Sequence, residues 1–332
     1  MERPRFLKVC ALVCAVVSGC SELIVTGPDS NGNMRDFNVV GSYLKTRYAF
    51  LLYKRINPDS LIAAYRSQAA AAQGDEIYTV FQQMLGSLKD GHVQIRTEGG
   101  FPVSVYDWPR RHMDEEYSPL VVRKYFDEEL RRGGNDQFEY GITSSNVAYV
   151  YLASFAEGNW VQDFDRVLND LKNTKGMIFD VRNNGGGNGL TGEFIVRRFL
   201  SDSLSYSLYN PDGSVKGTDH LSPDGPVRYS KPVVVLINGA SFSMAEMFPE
   251  LMKQIPTVTT LGDTTGGGGG STEVFLLPSG RRLQIPTSYM KRFNGTMIEW
   301  NGVPPDIVVS QTKSDIDAGR DLQLERALQL FP

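Results

Sequence analysis

Residues 233–246 read VVVLINGASFSMAE, an apolar run followed by a short turn and the first residues of a helix. A short apolar run bounded by a turn is typical of a strand buried on both faces of a parallel sheet. The turn would present the Ser243 hydroxyl at the carboxyl edge of that sheet, beside unpaired helix N–H groups. Two interpretations of Ser243 follow: a catalytic nucleophile, or the first residue of a capping box with Glu246.

A second strand, turn and helix pattern lies upstream, where residues 177–189 read MIFDVRNNGGGNG. Consecutive glycines let the backbone approach a ligand and direct N–H groups at negative charge. No Lys-Ser/Thr follows these glycines and no G-x-G-x-x-G opens the helix, which disfavours a nucleotide phosphate site. An anion-binding turn and a plain turn both remain open.

Strands and helices alternate around these two turns, which predicts βαβ units and a largely parallel sheet. The charged stretch from Arg123 to Arg132 predicts a solvated helix face. The other predicted elements are a helical region over 37–88, strands over 92–96, 147–152, 177–179 and 233–237, helices over 164–171, 190–199 and 244–255, a hairpin over 274–285 and a closing helix over 315–330.

Composition excludes several classes of protein. The 332 residues are 41% hydrophobic and 22% charged, which is unlike disordered, collagen-like or coiled-coil chains. The net charge of −4 and the lack of a basic stripe give no reason to expect a nucleic-acid partner. Three scattered histidines (His92, His112 and His220) without an H-E-x-x-H motif make a metal site unexpected, and no cofactor is expected.

The first twenty residues, MERPRFLKVCALVCAVVSGC, have the charged start and short apolar run of a secretory signal. Residues 17–20 (VSGC) resemble a bacterial lipobox, so we expect lipidation of Cys20 and attachment to the cell envelope by that lipid anchor only, on the outer-membrane or periplasmic side. A plain signal peptide that contains cysteines is the alternative.

Three further segments carry candidate site residues. His92, in LKDGH over residues 88–92, stands between a predicted helix and a strand, as a general base or a structural histidine would. The five glycines at 266–270 are typical of a flexible loop. Glu299 precedes the turn GVPPDI at 302–307, where a surface carboxylate is the simplest interpretation.

The order of these motifs resembles the C-terminal processing (tail-specific) serine peptidase family over residues 38–330. The shared segments are LKDGH, DVRNNGGG at 180–187, NGASFSMAE at 238–246, LGDTTGG at 261–267 and GVPPDI. The resemblance implies an α/β fold with a crotonase-like (ClpP/crotonase) ββα core. Together, the resemblance and the predicted secretory signal divide the chain into five segments. These are a signal peptide over 1–19, a tether over 20–36, an N-terminal helical domain over 37–97, a connecting segment over 98–145 and a peptidase core over 146–332.

The resemblance also implies roles for individual residues. Ser243 takes the place of the family's nucleophile, and Gly186, within a residue, and Met244 take the places of its oxyanion donors. Many members use a lysine whose position falls near Gly268, where this chain has no base. The tricorn-like branch instead uses a histidine and a glutamate, which correspond to His92 as the base and Glu299 as the carboxylate that orients it, directly or through an intervening hydroxyl or water.

The implied function is a serine-type endopeptidase that hydrolyses peptide or protein substrates at the bacterial cell envelope. About fifty residues separate His92 from Asn146, too few for the PDZ module that processing peptidases often insert there. A catalytically inactive binding module on the same fold is the alternative. A crotonase-type acyl-CoA enzyme would share the core, but the Ser, His and Glu set does not favour it.

Overall fold

The computed structural model describes residues 32–108 and 114–331. The predicted signal peptide, Cys20 and the first part of the tether lie outside the described residues, as does His112. Helices α1 to α10 are Gly32–Arg47, Leu51–Lys54, Pro58–Ala71, Glu76–Gly86, Pro119–Val122, Asp163–Leu171, Gly189–Val196, Met244–Met252, Lys313–Asp317 and Leu322–Leu328. Strands β1 to β13 are Gln94–Arg96, Pro102–Ser104, Arg131–Gly133, Phe138–Ile142, Ala148–Leu152, Met177–Asp180, Leu204–Tyr209, Val215–Leu221, Val233–Ile237, Val258–Gly262, Gly270–Leu276, Arg282–Met290 and Ile307–Val308.

The larger sheet is mostly parallel and has the order β13-β10-β9-β6-β5-β4-β3 within the described residues. Neighbours from β13 to β5 run parallel, and β4 and β3 add an antiparallel edge. Every residue of β6 and of β9 is buried, because these central strands are covered on both faces. Since β6 and β9 are parallel neighbours, the two glycine-containing turns that follow them lie side by side at one sheet edge.

The second sheet is antiparallel, with the order β2-β1-β12-β7-β8 and with β11 paired to β12. Helices of the N-terminal region share a hydrophobic cluster with this sheet. The apolar stripe of α4 is the buried face of that helix, formed by Ile77, Val80, Phe81, Met84 and Leu85. The buried Asp36 on α1 accepts hydrogen bonds from Ser279 N–H and from Arg281 Nη1 at the β11–β12 turn. The helical region is therefore bound to the hairpin that leads back to the larger sheet.

Two predicted elements differ from the structure, and one hairpin of the second sheet is missing from the prediction. Residues 123–132 do not form a helix: a single 3-10 turn (Arg123–Tyr125) is followed by strand β3. The predicted closing helix over 315–330 is divided into α9 and α10, with Gly319 at φ 76° between them. The β7–β8 hairpin was not predicted, because six of the seven residues of β8 are exposed and carry no apolar alternation.

No helix in the described ranges combines the length and the apolarity that crossing a membrane requires. Across the same ranges, no group of three His, Cys, Asp or Glu side chains is placed where it could hold a metal ion.

Candidate active site

Ser243 occupies a sharp turn between β9 and α8. Its backbone has φ 58° and ψ −120°, a conformation that non-glycine residues rarely adopt and that costs about 1–3 kcal/mol. Its N–H donates to the Glu246 carboxylate at 3.1 Å, which is the glutamate half of the predicted capping box. The residue is partly exposed at the N-terminus of the helix. Strain held at an exposed serine is a feature of functional turns and is not needed for capping.

The turn that follows β6 is bonded directly to the Ser243 turn. Asn183 N–H donates to Asn238 Oδ1 at 3.0 Å, and Asn238 Nδ2 donates back to Asn183 Oδ1 at 2.7 Å. The buried Ser241 hydroxyl donates to the Val181 carbonyl at 2.8 Å. These bonds fix the position of Ser243 relative to the glycine turn at 185–187.

Gly186 lies against Ser243, as the sequence predicts for an oxyanion turn. A Cβ atom at Gly186 would lie 2.6 Å from Ser243 Cβ and 2.8 Å from Met244 N, so only glycine fits there. However, the Gly186 N–H already donates to Asn184 Oδ1 at 2.8 Å. The prediction that this N–H is a free oxyanion donor is therefore not met in this structure, because a side-chain amide occupies it.

Glu246 anchors the glycine-rich loop, residues 264–269, through hydrogen bonds to its carboxylate. Its carboxylate is fully buried and accepts hydrogen bonds from Thr265 Oγ1 (2.7 Å), Gly267 N (2.7 Å) and Gly268 N (2.6 Å). Burial raises the pKa of Glu246 to about 7, although its hydrogen-bond donors act in the opposite direction. Apart from the capping-box pattern, nothing in the sequence indicates this role.

Two tryptophans hold the same loop through its carbonyl groups. Trp108 Nε1–H donates to the Gly266 carbonyl and Trp300 N–H donates to the Gly267 carbonyl, both at 2.8 Å. The interpretation of these glycines as a flexible loop is wrong, because both the amides and the carbonyls of the loop have partners.

The ring of Phe242 explains why this loop has no lysine. A Cβ atom at Gly268 would lie 2.2 Å from the Phe242 ring, and one at Gly91 would lie 2.9 Å from it. The ring also packs against His92 and Trp108, with ring centroids 4.5 Å and 4.2 Å apart. The space that a side chain at 268 would need is therefore filled by the residue that precedes Ser243.

His92 is buried beside Phe242, with 7% of its surface exposed. No described residue forms a hydrogen bond with Nδ1 or Nε2 of its ring. The predicted bond between the imidazole and Ser243 is therefore absent from this structure, and so is the direct one of the two links predicted with Glu299. Burial lowers the pKa of His92, Lys54 lowers it further and Asp90 opposes both. Asp90 Oδ1 also accepts the His92 backbone N–H at 2.9 Å.

Glu299 is buried and binds a lysine rather than the histidine. Its Oε1 lies 2.6 Å from Lys54 Nζ, and its Oε2 accepts the Gly269 N–H at 3.3 Å. The interpretation of Glu299 as a surface carboxylate is wrong, and its direct bond to His92 is replaced by the pair with Lys54. Burial and the charge of Asp90 raise the pKa of Glu299 well above its ordinary value, while Lys54 lowers it.

Lys54, at the end of α2, was missed by sequence reasoning because nothing distinguishes it from other helix-end lysines. Its side chain is completely buried. Its ammonium group donates to the carbonyls of Leu88 (3.1 Å) and Lys89 (3.2 Å) and lies 3.4 Å from Asp90 Oδ2. An amine surrounded by acceptors is a hydrogen-bond donor, so Lys54 does not replace the missing lysine as a base.

A cleft of about 350 Å³ opens next to Glu299 and the glycine-rich loop. Aromatic rings and glycine backbone form most of its wall. The lining residues are Lys89, Gly91, Tyr106, Trp108, Gly266, Gly267, Glu299 and Trp300.

Comparison with known families agrees with this arrangement. Residues 146–309 match Peptidase family S41, a range that includes Ser243, Gly186 and Glu299 but not His92 or Lys54. The chain therefore carries a Peptidase family S41 domain over these residues.

Relatives and solved structures are consistent with the family match. The chain is 27% identical over 200 residues to a carboxyl-terminal-processing protease of Synechocystis, covering 59% of this chain and 46% of that protein. It is 25% identical over 198 residues to the tricorn protease of Thermoplasma volcanium, covering 59% of this chain and 18% of that protein. A crystal structure of a provisionally assigned peptidase from Parabacteroides merdae superposes with a TM-score of 0.76 at 27% identity, covering 91% of this chain and 97% of that one. The chain thus spans less than half the length of these two named proteases.

Proposed function

We propose that this protein is a serine-type endopeptidase whose nucleophile is Ser243. The observation that carries the proposal is the strained, partly exposed Ser243 turn inside the matched Peptidase family S41 domain. Placement of a serine at a turn between a buried strand and a helix exposes its hydroxyl to a substrate carbonyl.

His92 is the base in this proposal. The imidazole accepts the Ser243 hydroxyl proton as the oxygen bonds to the peptide carbonyl carbon, and it then returns the proton to the leaving amine as the C–N bond breaks. Neither ring nitrogen has a hydrogen-bond partner among the described residues, and the ring already packs on Phe242, next to Ser243. A rearrangement of Phe242 is needed to bring the hydroxyl and the imidazole together, and such contacts often tighten only when substrate binds.

The oxyanion site in this proposal uses the Met244 N–H at the start of α8 and an N–H of the turn at 185–187. Gly186 keeps its place beside Met244, but its N–H has to leave Asn184 if it is to serve as the donor. Loss of one such donor in a comparable site costs roughly 2.7–4 kcal/mol of transition-state stabilisation.

The substrates proposed are peptides or proteins, and the core is proposed to be crotonase-like. The name of the Synechocystis relative supports tail-specific cleavage as the mode of action. The aromatic cleft beside Glu299 is where we expect a substrate side chain to bind.

Attachment to the bacterial envelope through a lipid on Cys20 is supported by the sequence pattern alone. Incorporation of a palmitate analogue that persists in Cys20→Ser would contradict that attachment.

A catalytically inactive binding module is the second candidate. The specific observation in its favour is that Glu299 is paired with Lys54, while the His92 ring nitrogens have no partner within residues 32–108 and 114–331. The same cleft would then hold a peptide without cleaving it.

Labelling with a fluorophosphonate probe separates the two candidates. We expect the wild-type protein to be labelled, Ser243→Ala to lose all labelling and His92→Ala to lose most of it, because only an activated serine attacks the probe. Ser271→Ala is the matched control, since Ser271 is exposed near the glycine-rich loop and should leave labelling unchanged. Absence of labelling in folded wild-type protein would favour the binding module.

A further inference from the structure

We propose that Lys54 is a positioning residue of the site: it joins Glu299 and Asp90 into one buried ionic cluster, so that the carboxylate next to His92 is Asp90 and not Glu299. This inference deepens the proposed function and rests on it. It assigns a role to a lysine that lies outside the matched peptidase domain, on α2.

The first argument is the charge balance of the cluster. One ammonium, Lys54, contacts two carboxylates, Glu299 at 2.6 Å and Asp90 at 3.4 Å, and the side chains are 2% exposed or less. With all three groups ionised, the cluster carries one excess negative charge. A buried group of this kind is stable only when its charges are paired and its remaining atoms are hydrogen bonded.

The second argument is where the excess charge lies. Glu299 is bound closely by Lys54 and by Gly269 N–H. Asp90 is farther from Lys54, and it accepts the Tyr48 hydroxyl (2.8 Å) and the His92 backbone N–H (2.9 Å). The Asp90 carboxylate is therefore held in place by the Tyr48 hydroxyl and by the backbone of His92. A negative charge held there favours a positively charged His92 during proton transfer.

The third argument concerns Trp300, which connects the cluster to the glycine-rich loop. Lys54 Nζ lies 4.9 Å from the centre of the Trp300 ring, and Trp300 Nε1–H donates to the Lys89 carbonyl at 2.8 Å. The Trp300 N–H holds the Gly267 carbonyl. Lys54 therefore contacts the groups that fix both the His92 segment and the loop beside Ser243.

The charged groups that act on the His92 imidazole are Asp90, from its own loop, and Lys54, from the helical region. The cluster around these two also includes Tyr48, which donates to Asp90, and Glu299 of the peptidase domain, which pairs with Lys54.

The test measures the titration of the His92 imidazole by NMR in full-length Ser243→Ala protein, with histidine labelled at Cε1 and the signal assigned by His92→Gln. This readout does not depend on activity. We expect Asp90→Asn to lower the pKa of His92 and Lys54→Met to raise it, each by on the order of one pH unit, because the two variants remove charges of opposite sign. Lys54→Arg should stay near the parent value.

Two further variants keep the result interpretable. Lys54→Met/Glu299→Gln also removes the carboxylate that Lys54→Met leaves unpaired, so it should be more stable than Lys54→Met and should still show a raised pKa of His92. Lys253→Met is the matched control, because Lys253 pairs with Asp306 in the peptidase domain and should leave the titration unchanged.

Activity is the second readout, in protein that retains Ser243. We expect the acidic limb of the pH profile of kcat/KM to shift in the same directions, with kcat/KM reduced at least tenfold in Asp90→Asn. Shifts of the same sign in Asp90→Asn and Lys54→Met, or no shift in either, would overturn the positioning role. If the NMR shifts have the expected signs but the wild-type protein hydrolyses no peptide, the positioning role would stand and the proposed function would be contradicted.

Discussion

Ser243 and Gly186 define the site at the scale of single residues. Ser243 adopts a backbone conformation that favours glycine, and Gly186, at φ 93°, lies so close that it has no room for a Cβ atom. The serine and the glycine turn could be predicted from sequence, because a buried strand followed by a small-residue turn is a local pattern. The partner of the Gly186 N–H could not, since it depends on how the Asn184 side chain folds back.

Gly186→Ala is expected to destabilise the protein by about 3 kcal/mol, from a positive φ together with overpacking against Ser243. Fluorophosphonate labelling should fall as well, because Ser243 has to move. Urea denaturation measures the free energy of unfolding. Gly185→Ala is the control: nothing lies within 4 Å of a Cβ atom there, so a change within about 0.5 kcal/mol is expected. Equal effects of the two variants would show that the contact with Ser243 is unimportant.

Among the elements, the glycine-rich loop is bound directly to α8, because Glu246 of that helix accepts hydrogen bonds from the loop. A run of five glycines predicts flexibility when only the local chain is considered. Tertiary contacts override that preference here, because Glu246 binds the loop amides and the two tryptophans bind its carbonyls. Phe242 fills the space beside Gly268, which gives a steric reason for the absent lysine.

Glu246 is expected to make stability depend on pH. Its pKa of about 7 in the fold is above the ordinary value of 4.5, so the folded state binds the proton more tightly than the unfolded chain. Its contribution is therefore fully present below about pH 4.5 and is lost as the pH rises through 7, a change of about 3 kcal/mol.

Glu246→Gln should lack that slope, although it should be less stable overall because the amide nitrogen cannot accept from the loop N–H groups. Urea midpoints measured between pH 4 and 8 check this prediction. Exposed Glu157→Gln is the control and should keep the wild-type slope. A Glu246→Gln protein with an unchanged slope would assign the pH dependence to other groups.

At the scale of the whole molecule, the site is assembled from two regions of the chain. The larger sheet supplies Ser243 and the glycine turn, whereas the helical region and the loop after it supply Lys54 and His92. The contact of α1 with the β11–β12 turn, through Asp36 and Arg281, links the helical region to the second sheet, whose strand β11 directly follows the glycine-rich loop. The relative position of the proposed nucleophile Ser243 and the proposed base His92 therefore depends on this interface.

Asp36→Ala is expected to lower the free energy of unfolding by about 3 kcal/mol, because it leaves the buried guanidinium of Arg281 and the Ser279 N–H without this acceptor. Labelling of Ser243 should decrease under conditions where the protein is still folded. Thermal unfolding monitored by circular dichroism measures the change. Asp317→Ala, which breaks the exposed pair with Lys313, is the control and should have little effect. A loss of stability without any loss of labelling would show that the interface does not align the site.

The local features could be predicted from the sequence alone: the buried strands β6 and β9, the helical region that contains α4, the two turns and the position of Ser243. These features follow from apolar periodicity and turn chemistry, which act over a few residues. The folded structure was needed to show that Glu299 binds Lys54, that Phe242 lies against His92 and that the glycine-rich loop is anchored. These pairings join segments that are distant in the chain, and a buried charge pairs with whichever partner the packing brings within reach.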